Sequence, residues 1–111
     1  MKKIYISLPI TGHEDTAKQK AEEFKALLQK HLPDCDIKTP FDVCSEEGKP
    51  YGYYLGRDIE YILTCDYVFF MNGWEHSKGC QIERAVVDVY CIQRKFQMAT
   101  EFNLKHNEPI L

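Results

Sequence analysis

The chain has 111 residues, 44% of them apolar, and a formal net charge of −3 with an isoelectric point near 5.8. That length specifies one domain, residues 1–111, whose single core lies near the lower end of what is stable alone. The basic residues are spread along the chain, which argues against a footprint for duplex nucleic acid or an anionic membrane and points to a small molecule or a protein as partner.

The start, MKKIYISLPITG, is basic, but its apolar segment ends after a few residues and charges follow, unlike a secretory leader. No later window approaches a membrane span. The five cysteines, Cys35, Cys44, Cys65, Cys80 and Cys91, are odd in number and lack CxxC spacing, so scattered thiols in a reducing cytoplasm are expected, with neither a disulfide framework nor a metal site.

KKIYIS has the β-branched and aromatic content of a strand, and PITGHED reads as a loop in which Thr11 or Asp15 caps the next helix. In that helix Ala17, Ala21, Phe24 and Leu28 form one apolar stripe between charged faces, over about five turns. Pro33 ends it, and CDIKT makes a short second strand. From Phe41 to Tyr53, with Gly48, Pro50 and Gly52, runs the longest irregular stretch, read as a loop over a site. Tyr54 to Thr64 has helical spacing, with Leu55, Ile59 and Ile62 inward and Tyr54, Asp58 and Tyr61 on an adjacent face. Asp66 to Met71 is a continuous apolar strand of the kind buried on both faces. Ser77 to Tyr90 is the next helix, with Ile82, Val86 and Val89 expected inward; Lys95 to Met98 is a last short strand before a polar tail.

Such alternation predicts an α/β domain with a parallel sheet and right-handed crossovers, most simply a small flavodoxin-like doubly wound fold. Ligands of these sheets bind beyond the carboxyl ends of the strands, at the switch point. The loops SLPITG and NGWEHSKG lie there, which makes Ser7, Pro9, Trp74, Ser77 and Gly79 candidate substrate contacts.

Ser77 suits a helix N-cap, and Gly79 lets a ligand approach the free amides behind it, a setting for phosphate or another anion; the plainer reading is a cap and a packing glycine. Glu83 lies too deep for a capping box, whose position is Cys80, and one turn beyond Gly79 on the same face. It is either a nucleophile or general base at the cleft, or an ordinary solvated helix glutamate. Tyr5, central in the sheet, reaches such a carboxylate or simply packs, and Asp58 supplies a second acid. Asp66, at the amino end of its strand, is better read as a structural cap. Tyr51, Tyr53 and Tyr54 with Trp74 either stack a planar base or form a satellite core under the long loop. His13 and His76 lack neighbours at ligand spacing and are read as polar loop residues.

Together KIYISLPITG, GRDIEYILTCDYVFFMNGW and SKGCQIERAV resemble the nucleoside 2-deoxyribosyltransferase-like superfamily, in particular its uncharacterised small branch, DUF4406-like, over roughly Lys3 to Val89. The resemblance implies a flavodoxin-like fold and cleavage of the N-glycosidic bond of 2′-deoxynucleosides or their 5′-monophosphates through a covalent deoxyribosyl-glutamate. It casts Glu83 as nucleophile, Tyr5 as the residue orienting it, Asp58 as the acid at the leaving base, and Ser77 and Gly79 as the sugar- or phosphate-facing turn. An oxocarbenium-like transition state asks for this division between an anionic carboxylate and an acid. No cofactor or metal is implied, and assembly as a homo-oligomer is expected. Two positions depart from the family's pattern: Leu8 stands where glycine is common and Cys80 where a small alanine or threonine is usual. The alternative is a non-catalytic nucleotide-binding module of the same fold.

Overall fold

A computed structural model describes the whole chain, Met1–Leu111. Its elements are β1 (Lys3–Ser7), α1 (Glu14–His31), β2 (Asp36–Lys38), α2 (Pro40–Val43), α3 (Tyr51–Ile62), β3 (Tyr67–Phe70), a 3-10 turn (Trp74–His76), α4 (Lys78–Val89), β4 (Gln93–Phe96) and α5 (Gln97–Lys105). The strands form one parallel sheet in the order β2-β1-β3-β4. From β1 the chain winds outward to β2 and then back across to β3, so the switch point lies between β1 and β3, as in doubly wound flavodoxin-like sheets. No helix is long and apolar enough to cross a membrane.

Strand alternation divides the core in two. Ile4 and Ile6 of β1 and Phe69 of β3 face α1, where Ala17, Ala21, Phe24 and Leu28 are buried, and Leu104 of α5 and Ile110 pack on the same side. Phe24 and Phe69 meet edge to face at 6.3 Å. Tyr5, Val68 and Phe70 face the other way, against Ile62 of α3 and Val87 of α4. Both faces of the central strands are covered, which explains why β3 reads as an unbroken apolar run.

Several elements differ from their sequence expectations for identifiable reasons. Thr39 and Asp42 form a capping box around Pro40, so the stretch expected to be irregular opens with a short helix. α3 begins at Tyr51, directly behind Pro50, three residues before the expected start, so that Gly52, whose poor helix propensity suggested a loop, lies inside the helix. The irregular segment shrinks to residues 44–50. Neither Thr11 nor Asp15 caps α1; its N-cap is His13, without a side-chain bond, and the Glu14 carboxylate instead accepts the Gly12 amide at 2.6 Å.

α4 buries Cys80, Glu83 and Val87, whereas Ile82 and Val89, expected inward, are 42% and 74% exposed. The helix is turned so that a carboxylate enters the interior, a choice that apolar periodicity cannot reveal. β4 lies two residues earlier than expected, and the tail folds into α5, whose only fully buried residue, Thr100, leaves almost no apolar pattern to read. Asp66 accepts the Lys3 amide at 2.8 Å and ties the starts of β3 and β1, a strand-end role in line with its position.

Candidate active site

Tyr5 and Ser7 are two residues apart on β1, so both side chains leave the same face of the sheet and meet α4. The Ser7 hydroxyl donates to Glu83 Oε1 at 2.7 Å, and the Tyr5 hydroxyl stands 3.4 Å from Oε2. Glu83 is only 4% exposed, which sets aside the solvated-glutamate reading. Asp58, 8% exposed on α3, lines the same cavity of about 570 Å³ as Tyr5, Ser77, Gly79 and Glu83. That volume lies within the range of small-molecule sites.

Burial is the main influence on both acids. It pushes Glu83 up to about 8, with the Asp58 charge adding to the rise and the Ser7 and Tyr5 hydroxyls opposing it. Asp58 is pushed up to about 7 by burial, opposed by Tyr5. Two interacting carboxyls of this kind titrate as a pair and hold one proton between them near neutral pH. The Tyr5 phenol is raised well above its ordinary value by burial and then by Glu83 and Asp58, so it remains a protonated donor between them. The arrangement can therefore present an acid and a carboxylate together, the pairing that glycosyl transfer uses.

Ser77 caps α4, its hydroxyl accepting the Cys80 amide at 3.3 Å. Gly79 has a steric role: a Cβ there would stand 2.8 Å from the Tyr51 hydroxyl, so the missing side chain makes room for a phenol at the start of α3. Cys80 is buried beside Glu83 in the cavity wall, and burial raises its thiol. Leu8 also lines the cavity while belonging to the α1-side core.

Three of the five candidate contacts are absent from the cavity wall, and the first of them, Ser7, is fully buried behind it, where its hydroxyl holds Glu83 instead of facing a substrate. Trp74 packs on Phe70 and Phe96 at 5.7 and 5.6 Å, with the Arg84 guanidinium 5.1 Å from its ring, and takes no part in the cavity wall. Pro9 is also absent from the wall; its Cγ sits 3.3 Å from where a Gly73 Cβ would be, and Gly73 has φ 92°, a close approach and a backbone shape that suit glycine. The aromatic group expected to act together is divided: Tyr51 and Tyr54 line the cavity, whereas the Tyr53 hydroxyl donates to Glu46 at 2.7 Å. His13 and His76 are exposed. Sequence reading missed Tyr51 as the neighbour of Gly79, and Glu46, Glu47 and Lys18 in the cavity wall. Ser7 as the partner of Glu83 was open to discovery, since strand alternation already places it beside Tyr5.

Residues 2–94 match the family model described as a domain of unknown function, DUF4406. No curated protein matches the sequence. Among solved structures, the fold is similar to that of a 2-desoxiribosyltransferase from Leishmania mexicana, with a TM-score of 0.67 and 19% identity, covering 86% of this chain. The chain spans 63% of the length of that protein. This protein thus belongs to the DUF4406 family and has a nucleoside deoxyribosyltransferase-like fold.

Proposed function

We propose that the protein cleaves the N-glycosidic bond of a 2′-deoxynucleoside or its 5′-monophosphate and passes the sugar to a second base or to water. The observation that carries this reading is a buried Glu83 held by Ser7 and Tyr5 in one cavity with Asp58. Ionised Glu83 attacks C1′ of the sugar as the bond to the base breaks. The electrons of that bond go to the base nitrogen, which takes the Asp58 proton. In the second half, an acceptor base nitrogen or a water attacks C1′, releases the Glu83 carboxylate and returns a proton to Asp58.

Tyr5 and Ser7 hold the nucleophile's orientation and favour its anion. The exposed Ile82 and Val89 on α4 support assembly with further copies of the chain. A non-catalytic nucleotide-binding module is the second reading, and the elevation of Glu83 to about 8 favours it, because a protonated carboxyl does not attack. Both acids meeting in one cavity supports the enzyme.

The test is incubation with each 2′-deoxynucleoside and 5′-monophosphate, with and without a second free base, and chromatography of the products. Free base or an exchanged nucleoside, lost in Glu83→Gln, is expected. Ligand-induced stabilisation without any product would transfer support to the binding module.

A further inference from the structure

The cavity wall is unevenly charged. Among its residues are four acids, Glu46, Glu47, Asp58 and Glu83, one lysine, Lys18, and no arginine. The loop that brings Glu46 and Glu47 to the rim is fixed by α3. Tyr53 donates to the Glu46 carboxylate at 2.7 Å and Tyr54 to the Glu46 carbonyl at 2.9 Å, while the Lys49 amide donates to the Tyr54 hydroxyl at 3.0 Å. Lys49 offsets Glu46 from 3.8 Å, but Glu47 enters no ion pair.

The first turn of α4, where such a cleft would take a phosphate, is narrowed by the Tyr51 phenol, which lies over Gly79. Burial and the Glu83 charge raise the Tyr51 phenol, so it faces the cavity as a neutral hydroxyl. A phosphomonoester brings about −1.5 to −2 charge at neutral pH and would have to settle among these carboxylates with one lysine. Like charges there repel the phosphate, an effect that salt weakens.

We propose that the cavity selects an unphosphorylated nucleoside and rejects its 5′-monophosphate, with Glu46 and Glu47 as the electrostatic filter and the Tyr51 hydroxyl, seated over Gly79, as a neutral contact for the sugar. This rests on the glycosyl-transfer reading and decides between the two substrate classes it allows.

The test compares kcat/KM for matched 2′-deoxynucleosides and 5′-monophosphates, in wild type, Glu47→Gln and Glu46→Gln/Glu47→Gln, at low and high salt. Thermal shifts with the same compounds accompany the kinetics. The nucleoside should be preferred by roughly 100-fold or more, and each carboxylate removed should narrow the ratio by roughly three- to tenfold. Added salt should narrow it as well. Glu47→Gln is the informative single variant, because Glu47 carries none of the bonds that hold the loop.

A monophosphate used as well as or better than the nucleoside, by a reaction lost in Glu83→Gln, would overturn the selection and leave glycosyl transfer standing. Stabilisation by nucleosides but not monophosphates, with no turnover, would uphold the selection and remove the chemistry. No shift and no turnover with either class would overturn both.

Discussion

The hydroxyl of Ser7 donates to Glu83 Oε1 over 2.7 Å, joining the carboxyl end of β1 to a buried turn of α4. A carboxylate this deeply placed needs donors, and the strand supplies two through the alternation that also orients Tyr5. Ser7→Ala removes the shorter bond, so Glu83 should rise further and the acidic limb of the pH–rate profile should move to higher pH. Activity at neutral pH should fall roughly 10- to 100-fold. An unchanged profile would show that this bond does not govern the carboxylate.

Glu83 lowers the stability of the fold at alkaline pH. Its folded value of about 8 lies above the ordinary 4.5, so the folded protein binds the extra proton between those limits. The associated stability is complete below the unfolded value and lost as pH rises through the folded one. Glu83→Gln should therefore raise Tm at pH about 9, by up to roughly 5 kcal/mol of stability for a shift of this size, and change it little at pH about 4. Thermal unfolding at the two pH values decides this, and equal effects at both would contradict the assignment.

Asp58 should show itself through the leaving group. With one proton on the acid pair, turnover should be greatest between pH about 7 and about 8 and decline on both sides. It is carried by the minor form of the pair, in which Asp58 rather than Glu83 holds that proton. Asp58→Asn removes the acid and the charge that raises Glu83, so the alkaline limb should vanish and the acidic limb move to lower pH. Natural nucleosides should lose roughly 10²–10⁴-fold in rate, and a 2-deoxyriboside whose leaving group needs no proton should lose far less. Equal losses for both substrates would remove the proton-donor role.

Gly79→Ala places a methyl 2.8 Å from the Tyr51 hydroxyl and should displace that phenol. Weaker nucleoside binding is expected from a folded protein. In Gly79→Ala/Tyr51→Phe the oxygen is gone, and the remaining ring carbon lies 4.0 Å away, an ordinary contact. The pair of substitutions should therefore be strongly non-additive in a double-mutant cycle of KM and Tm. Strict additivity would show that the two residues do not share this contact.

The fold was legible where periodicity is strong. The α1 stripe of Ala17, Ala21, Phe24 and Leu28 is buried residue for residue, and the apolar run of β3 correctly signals a strand covered on both faces. α4 was not, because its inward face carries Glu83, and the helix turns Ile82 and Val89 outward to bury it. Nothing in apolar spacing distinguishes a carboxylate supported by strand hydroxyls from one in solvent. Glu83, Tyr5 and Asp58 were nevertheless named as one group, because the family resemblance implies it; on residue grounds alone Glu83 stood open against a solvated glutamate and Tyr5 against plain packing. Trp74 was grouped with the tyrosines by residue type; in three dimensions it belongs to the Phe70 and Phe96 cluster at the β4 side. The Tyr51–Gly79 contact crosses two helices and has no local sequence signal.

The central claim is that Glu83 becomes covalently bonded to the sugar. Its most direct test is intact-mass and peptide spectrometry of protein quenched in acid during incubation with a 2′-deoxynucleoside. The account predicts a deoxyribosyl mass increment that maps to the Glu83 peptide, is absent from Glu83→Gln, and disappears when an acceptor base is added. Turnover without any adduct, or an adduct that persists in Glu83→Gln, would contradict it.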